Sequence, residues 1–470
     1  MVGKESKMKN KFIRKWLVIL TVAAMMIPAG IPANAETVEE GENIAPTAGI
    51  SAETPNVTAE TQKEEISAEM PDMTAETQNE EKSDVQAEGQ NQAKQGVLEA
   101  VRQNTEKAEE ASDAVDVQAE ERTAGEVQIG EQIYPTLTEA FAAAKDGDVL
   151  RLLENAEVSQ PILLTKNVTL DTNGFTVSAA AGFKGNFMFT NRGTFNIVGS
   201  GKIDGSVGTY PLIMINNTGG AVLNIQSSEI TGQGVVQNVG GIVNITGGTL
   251  TASARNTVLS QFGEVHIGAS AHLMAAGEGK SAVQLIGAKM TLSGDAVLSG
   301  NGGIDVFNSN RNEEGTVSAQ VEITGGRIET KDFPVSGNNQ ESAGAEVAIT
   351  GGSLKNISGG TAIYWPMEGQ LTIGGNAVIE GGTGIEAKMG TITIKDNAVI
   401  TGSGEWKEEK PQNGGANPEG SAFLGSAQMY DGCINDSSLV VNILGGTLKS
   451  VNGNAVTIYN TEEKLSLIHI

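Results

Sequence analysis

The stretch Ile242–Ala252 reads IVNITGGTLTA and combines two short apolar alternations with a pair of glycines. Val243 and Ile245 are separated by one polar residue, which is the two-residue period of a strand with one buried face. Gly247–Gly248 follow at once and permit a sharp bend of the backbone. Leu250 then begins the second alternation. The stretch therefore predicts two short strands joined by a tight corner.

Close relatives of this stretch recur along the chain as QVEITGGRIET, EVAITGGSLKN and VVNILGGTLKS. Their apolar-polar-apolar triplets start roughly 20 to 31 residues apart, with one longer interval near the end, and this period is typical of a solenoid. A third apolar segment follows most corners, so each repeat predicts three strands. The triplets begin at Val168, Phe195, Leu223, Val243, Val265, Met290, Val321, Val347, Leu371, Ile392 and Val441. We therefore expect an all-β, right-handed parallel β-helix solenoid of about 12 coils, each stacked on the next through inward apolar side chains.

A short helix is predicted just before the repeats. Thr136 followed three residues later by Glu139 forms a capping-box pattern. Leu137, Phe141 and Ala144 would share one face of this helix. We expect the helix to cap the N-terminal end of the stacked sheets, where strand edges would otherwise be open.

The chain divides into segments of different composition. Residues 1–35 place a basic cluster before an apolar run and end in small residues, as a secretory signal peptide does. Residues 36–125 are acidic, poor in aromatics and carry a 16-residue tandem repeat. Such a segment cannot bury enough apolar surface to fold, so we expect a disordered linker, for which a stalk and a spacer without a role of its own are both open. Residues 126–460 are assigned to the β-helix. Residues 461–470 form a doubtful tail whose ending, LSLIHI, indicates a truncated chain.

Charge and cysteine content narrow the classes of partner. The net charge of -26 argues against nucleic acid, because phosphate binding requires clusters of Lys and Arg. Cys433 is the only cysteine, so neither an internal disulfide nor a cysteine-based metal cluster can form. No apolar run after residue 35 is long enough to span a bilayer. We expect a secreted or cell-surface protein without a cofactor.

The N-terminal part of the repeat region has three further recognisable patterns. These are YPTLTEA at Tyr134–Ala140, DGDVLRLL at Asp146–Leu153 and TLDTNGFTV at Thr169–Val177. Together with the recurrent ITGGTL-type coils, they resemble the right-handed parallel β-helix domains of bacterial secreted and surface proteins with the pectin-lyase-like fold. The resemblance covers about Glu126–Tyr459 and implies the fold. It implies no single reaction, because this fold hosts lyases, hydrolases, adhesins and scaffolds.

The residue sets that enzymes of this fold use are not found in the sequence. A lyase would need grouped acidic calcium ligands and an arginine base, but the arginines are scattered, at Arg151, Arg192, Arg255, Arg311 and Arg327. A hydrolase would need paired carboxylates on neighbouring coils, and GRIE at Gly326–Glu329 departs from its expected Arg-Ile-Lys motif. His266 and His272 fall at outward strand positions. We therefore assign no catalytic or metal-binding residue.

Four aromatic residues are candidates for ligand binding, namely Tyr364, Trp365, Trp406 and Tyr430. Tyr364 aligns with Asp305 and Glu386 in the third strand of the coil, which predicts a ring outside the coil. Trp365 aligns with inward residues and has the position of a packing residue. Trp406 and Tyr430 lie in the long interval Gly402–Ser438, which we expect to be a surface loop.

Two classes of function remain. The leading hypothesis is a non-catalytic exported surface protein that presents its β-helix for adhesion or glycan binding, with a polysaccharide, host glycan or cell-wall glycan as partner. The alternative is a polysaccharide lyase or glycoside hydrolase of pectin-lyase-like fold that acts on uronate-containing polymers, with Asp305 and Glu386 as the carboxylates to test. The sequence leaves the oligomeric state open.

Overall fold

The computed structural model describes residues 125–206, 210–311, 315–337, 344–406, 415–416, 418–426, 439–459 and 468–469. The expected signal peptide at residues 1–35 lies outside this range. So do the expected stalk, apart from residue 125, and the tail at 461–470, apart from residues 468–469.

The chain contains one helix, α1 (Leu137–Ala143), and 41 strands among the described residues. The first strands are β1 (Val127–Ile129), β2 (Gln132–Tyr134), β3 (Val149–Leu152), β4 (Ala156–Val158), β5 (Ile162–Leu164), β6 (Val168–Asp171), β7 (Thr176–Ala179), β8 (Phe187–Asn191), β9 (Thr194–Val198), β10 (Lys202–Asp204), β11 (Ile213–Thr218), β12 (Val222–Ile225), β13 (Glu229–Gly232) and β14 (Val236–Val239). The middle strands are β15 (Ile242–Ile245), β16 (Thr249–Ala252), β17 (Val258–Gln261), β18 (Glu264–Ile267), β19 (His272–Ala275), β20 (Ser281–Ile286), β21 (Lys289–Leu292), β22 (Val297–Gly300), β23 (Gly302–Phe307), β24 (Ser309–Arg311), β25 (Gly315–Val317), β26 (Gln320–Ile323), β27 (Arg327–Thr330) and β28 (Val335–Gly337). The last strands are β29 (Ala345–Ile349), β30 (Ser353–Asn356), β31 (Thr361–Trp365), β32 (Gly369–Ile373), β33 (Val378–Gly381), β34 (Thr383–Ala387), β35 (Gly390–Ile394), β36 (Val399–Gly402), β37 (Phe423–Ser426), β38 (Leu439–Ile443), β39 (Thr447–Ser450), β40 (Val456–Tyr459) and β41 (Ile468–His469).

The strands form a right-handed parallel β-solenoid with three long sheets. The first sheet has 15 strands and runs from β2 to β41; the second and third have 12 strands each, from β4 to β39 and from β5 to β40. Successive strands of one coil belong to different sheets, which confirms the predicted three-strand repeat. About nine turns are complete within the described residues, slightly fewer than the roughly 12 coils expected from the sequence.

The repeated phrase occupies the positions predicted for it. Val243 pairs with Leu223 on one side and Val265 on the other, so inward side chains form columns along the solenoid. These residues are fully buried. The second glycine of the ITGG phrase has a positive φ, which is 84° at Gly248 and 83° at Gly326. The glycine corners therefore supply the bend that joins the first sheet to the second.

Helix α1 packs on the N-terminal end of the solenoid, as predicted. Thr136 is its N-cap, and the Thr136 hydroxyl accepts a hydrogen bond from the Glu139 backbone N–H at 3.2 Å. Phe141 on the buried face meets the rings of Phe189 and Phe195 edge-on, with centroids 5.9 and 6.1 Å away. The helix thus supplies the apolar cover that a further coil would otherwise provide.

A buried ladder of asparagines lines the corner between the third and first sheets. The Asn191 amide donates to the Asn217 side-chain oxygen at 2.8 Å, and Asn217 donates to Asn238 at 2.9 Å. All three side chains are fully buried. Their amides also donate to backbone carbonyls of the corner, such as that of Val222. This ladder satisfies polar backbone groups that the bend removes from the sheets.

Two insertions differ from the predicted pattern. The interval Gly402–Ser438, expected to be a surface loop throughout, contains strand β37, which pairs with β34 and β40. Phe423 of β37 is fully buried and completes the third sheet of its coil. In addition, the antiparallel hairpin β24–β25 leaves the solenoid between β23 and β26.

Candidate functional site

An open groove of about 450 Å³ lies on the outer face of the first sheet. It crosses the consecutive strands β18, β21, β26, β29 and β32. At about 4.8 Å per strand, the groove is roughly 19 Å long. Its polar side chains are Glu264, His266, Lys289, Thr291, Gln320, Glu322, Glu346, Gln370 and Thr372. A site of this length suits an extended ligand that lies along the solenoid.

The alternation of each strand places two outward columns of side chains in the groove. In one column Ala348 stands between Glu322 and Thr372 on the adjacent strands. Its methyl group is much shorter than those neighbours, so the backbone of β29 forms an open floor there. Upstream, the same column holds Asn224 and Asn244, whose amides hydrogen-bond at 2.7 Å and cover the sheet. The groove therefore begins where this outer amide ladder ends.

One end of the groove carries a compensated charge cluster. The Glu264 carboxylate lies 3.7 Å from the Lys289 ammonium and 3.6 Å from His266 Nε2. The other ring nitrogen of His266, Nδ1, is hydrogen-bonded to the Thr291 hydroxyl at 2.9 Å. These side chains are substantially exposed, so water screens their attraction.

The centre of the groove carries two carboxylates without such compensation. Glu322 and Glu346 are exposed, and neither has a hydrogen-bond or ion-pair partner among the residues the structure describes. Glu346 pairs in register with Gln320, and Glu322 with Ala348, so the two glutamates are diagonal neighbours across one strand spacing. Two residues along the strand and one strand across give a Cα separation of about 8 Å. The groove centre is therefore anionic and open.

Tyr364 lies on the outer side of the third sheet, as its register with Ser336 and Glu386 requires. Its side chain is nevertheless only 8% exposed. The Phe333 ring stacks on it with centroids 5.1 Å apart, and the Lys388 ammonium lies 5.7 Å from its ring centroid. In this arrangement the face of the tyrosine ring is occupied by protein.

Trp365 lies inside the coil and is fully buried. It pairs with Ala387, and a side chain at Gly337 would come within 3.3 Å of its ring. Small neighbours on both sides thus make room for the indole. Its Nε1–H has no hydrogen-bond partner among the described residues. Trp365 is therefore a packing residue, as its alignment with inward residues predicted.

Next to Tyr364, Glu386 and Lys388 form an ion pair of 3.4 Å whose side chains are 0% and 3% exposed. Burial lowers the pKa of Lys388, and the Glu386 carboxylate opposes that shift. Asp305 is three strands away in the same column and accepts hydrogen bonds from Ser281 and Ser336. Three strand spacings are about 14 Å, which exceeds the separation of about 5 to 9.5 Å that carboxylate pairs use in glycoside hydrolysis.

Trp406 is the candidate aromatic that the structure leaves open to solvent, with 42% of its surface exposed. Its ring packs beside Gly453 of the following coil, where an added side chain would come within 2.8 Å of Cδ1. Tyr430 lies outside the described residues. The structure therefore does not bring Trp406 together with Tyr364 or Trp365, which lie under protein on the third sheet.

The groove residues were not singled out by the sequence analysis. His266 was placed at an outward position, which its register with Asn244 and Thr291 confirms. His272 is also outward, in register with Thr249. The available signal for the groove was the change in one outward column, from repeated asparagines through His266, Thr291 and Glu322 to Ala348. This signal depends on knowing which columns face outward in consecutive coils.

The described residues contain neither a cluster of metal-binding side chains nor a membrane-spanning helix. No group of three or more His, Cys, Asp or Glu side chains in this part of the chain could hold a metal ion. Within the same residues, no helix has the length and apolar character needed to cross a membrane. Comparison of the chain with known protein families, curated proteins and solved structures gave no match.

Proposed function

We propose that this chain is a non-catalytic exported surface protein whose solenoid binds a glycan in the groove on the first sheet. The observation that carries the proposal is the groove itself, a polar channel of about 450 Å³ that follows the solenoid axis. Its amides, hydroxyls and carboxylates match the many hydroxyl groups of a saccharide chain. A row of strands, each fixed by its neighbours, also fixes the backbone positions of these residues before binding and so limits the backbone part of the entropic cost.

Asp305 and Glu386, the carboxylates named for the hydrolase alternative, are not arranged as a catalytic pair. Asp305 is held by two serine hydroxyls, and Glu386 is paired with Lys388, so each carboxylate already has a structural partner. Their separation of about 14 Å is too long for the paired acid and base of a glycosidase. Signal-directed export is proposed from the sequence of residues 1–35.

Glycan binding is tested by titrating the purified full chain with soluble oligosaccharides of neutral, acidic and basic types. Ala348→Phe should fill the groove floor and weaken binding at least about tenfold, which corresponds to about 1.4 kcal/mol. Ser353→Phe is the matched control, because Ser353 is also an outward, half-buried residue but lies on the second sheet. Trp406→Ala tests the exposed aromatic separately.

Loss of binding in Ala348→Phe but not in Ser353→Phe or Trp406→Ala would locate the glycan in the groove. Equal loss in the two phenylalanine variants would indicate a general structural defect and contradict the groove assignment. If the full chain binds no oligosaccharide of any type, the proposed function is wrong.

A further inference from the structure

We infer that the groove selects a glycan that carries free amino groups, that is, a polymer of unacetylated amino sugars. This inference rests on the proposed function and names the ligand class of the same groove. Its basis is the electrostatic character of the groove centre, together with the position of the groove in the middle of a fully paired sheet.

The centre of the groove attracts cations and repels anions. Lys289 is paired with Glu264 at one end, while Glu322 and Glu346 at the centre form no ion pair with any residue that the structure describes. The whole chain carries a net charge of -26, so its long-range field has the same sign. A polyuronate or a phosphate-rich polymer would meet repulsion along its length, and a neutral glycan would gain only hydrogen bonds.

The spacing of the two glutamates favours a ligand whose charges are distributed along it. Their Cα atoms are about 8 Å apart on adjacent strands, and the short side chain of Ala348 leaves space between them. An ammonium group can therefore approach each carboxylate while the intervening sugar lies over the alanine. Gln320 and Gln370 border the same space and can donate and accept hydrogen bonds with ring hydroxyls.

A basic peptide would have the same charge but fits the groove less well. Extended peptides commonly bind by adding a strand to an open sheet edge. Strands β21, β26, β29 and β32 already pair on both sides within the first sheet, so their backbone groups cannot accept another strand. The available contacts come from side chains alone, which suits a hydroxylated polymer with occasional charges.

The test compares four probes by calorimetric titration of the full chain at low ionic strength. The probes are a glucosamine oligomer, its fully N-acetylated counterpart, a galacturonate oligomer and an oligolysine of similar length. We expect the glucosamine oligomer to bind more tightly than the other three, and to lose affinity as salt is added. Glu322→Gln and Glu346→Gln should each weaken its binding by about fivefold. They should also reduce its advantage over the acetylated oligomer.

Glu157→Gln is the matched control, because Glu157 is an exposed, outward strand residue on the second sheet. It should leave binding unchanged. Equal affinity for the glucosamine and acetylated oligomers would overturn the inference but leave glycan binding intact. Binding of none of the saccharides would overturn both. Stronger binding of oligolysine, or equal losses in all three Gln variants, would contradict an amino-sugar site in the groove.

Discussion

At the scale of single residues, identical side chains have different roles on the two sides of the solenoid wall. Asn217 is fully buried in the corner ladder, where it donates to Asn238 and to backbone carbonyls and accepts from Asn191. Asn224 makes a similar amide contact to Asn196, at 2.7 Å, on the outer face and is half-buried. Water can replace the outer contacts but not the inner ones.

Asn217→Ala should therefore destabilise the protein by about 2 to 4 kcal/mol, because it leaves buried donors and acceptors without partners. Asn224→Ala is the matched control and should cost less than about 1 kcal/mol. Urea unfolding followed by circular dichroism gives both values. Equal losses in the two variants would mean that the buried ladder contributes no more than the exposed one.

Asp204 provides a residue-scale prediction for pH. Burial raises its pKa, but hydrogen bonds from Ser206 and Thr231 and the Lys202 ammonium outweigh this, and the pKa falls from 3.8 to about 2. Since the folded pKa is the lower one, the carboxylate stabilises the protein above pH 3.8, and this contribution is lost as the pH falls through about 2. After solvent screening, the Asp204 carboxylate contributes about 1 kcal/mol to the free energy of unfolding.

Asp204→Asn should consequently destabilise the protein near neutral pH, and its difference from the parent should disappear as the pH is lowered to about 2. Urea midpoints measured across this range provide the check. Asp295→Asn, at an exposed turn, serves as the control and should show a smaller difference. A difference for Asp204→Asn that stays constant down to pH 2 would exclude the proposed charge interaction.

The direction of each side chain could be read from the sequence, whereas its exposure could not. The register of Tyr364 with Glu386 followed from alignment of the third strands, and the structure confirms it. Burial of Tyr364 depends on Phe333, which stands 31 positions earlier, outside any strand of the repeat. Trp365 was easier to place, because its inward position depends only on the two-residue alternation. Contacts between distant loops and strands are not encoded in a local period.

At the scale of elements, the glycine corner determines where a strand ends. Gly248 has a φ of 84°, and an added Cβ would lie 2.4 Å from the Ser228 carbonyl oxygen of the previous coil. Gly359 also has a positive φ, 75°, but a Cβ added there would meet no atom within 4 Å. A side chain at Gly359 would therefore cause backbone strain alone, whereas a side chain at Gly248 would cause both backbone strain and a steric clash with the previous coil.

Gly359→Ala should cost about 1 kcal/mol, from the left-handed backbone alone. Gly248→Ala adds the clash with the neighbouring coil, and we expect a loss of about 3 kcal/mol or more. Thermal or urea unfolding of the two variants measures the difference. Similar losses would show that the close approach of coils at the GG corner is easily relieved.

The regular strands were predictable because each coil places apolar side chains at the same inward positions and bends at the same corner. The ITGG phrase located the first and second strands, and the capping box located α1. Strand β37 was missed because its Phe423 and Leu424 are followed by Gly425, which interrupts the alternation, and because polar insertions flank it. Likewise, the groove arises from five coils together, so no single repeat carries its signature.

At the scale of the whole molecule, each coil is stabilised chiefly by its two neighbours, so stability should vary along the solenoid axis. Helix α1 replaces a neighbour at the N-terminal end, where Phe141 contacts Phe189 and Phe195. At the other end, Val451 and Leu444 are 65% and 68% exposed. The central coils have complete neighbours on both sides.

Phe141→Ala should therefore loosen the first coils selectively. We expect faster amide hydrogen exchange in β3 to β8, and unchanged exchange in β29 to β35, because the lost contacts reach only the adjoining coils. Phe175→Ala is a suitable comparison. Phe175 also packs against the core, but its ring is not part of the aromatic cluster of Phe141, Phe189 and Phe195. It should affect exchange around β6 and β7 without exposing β3. If Phe141→Ala instead accelerates exchange equally in every sheet strand, the solenoid unfolds as one cooperative unit and the nearest-neighbour description fails.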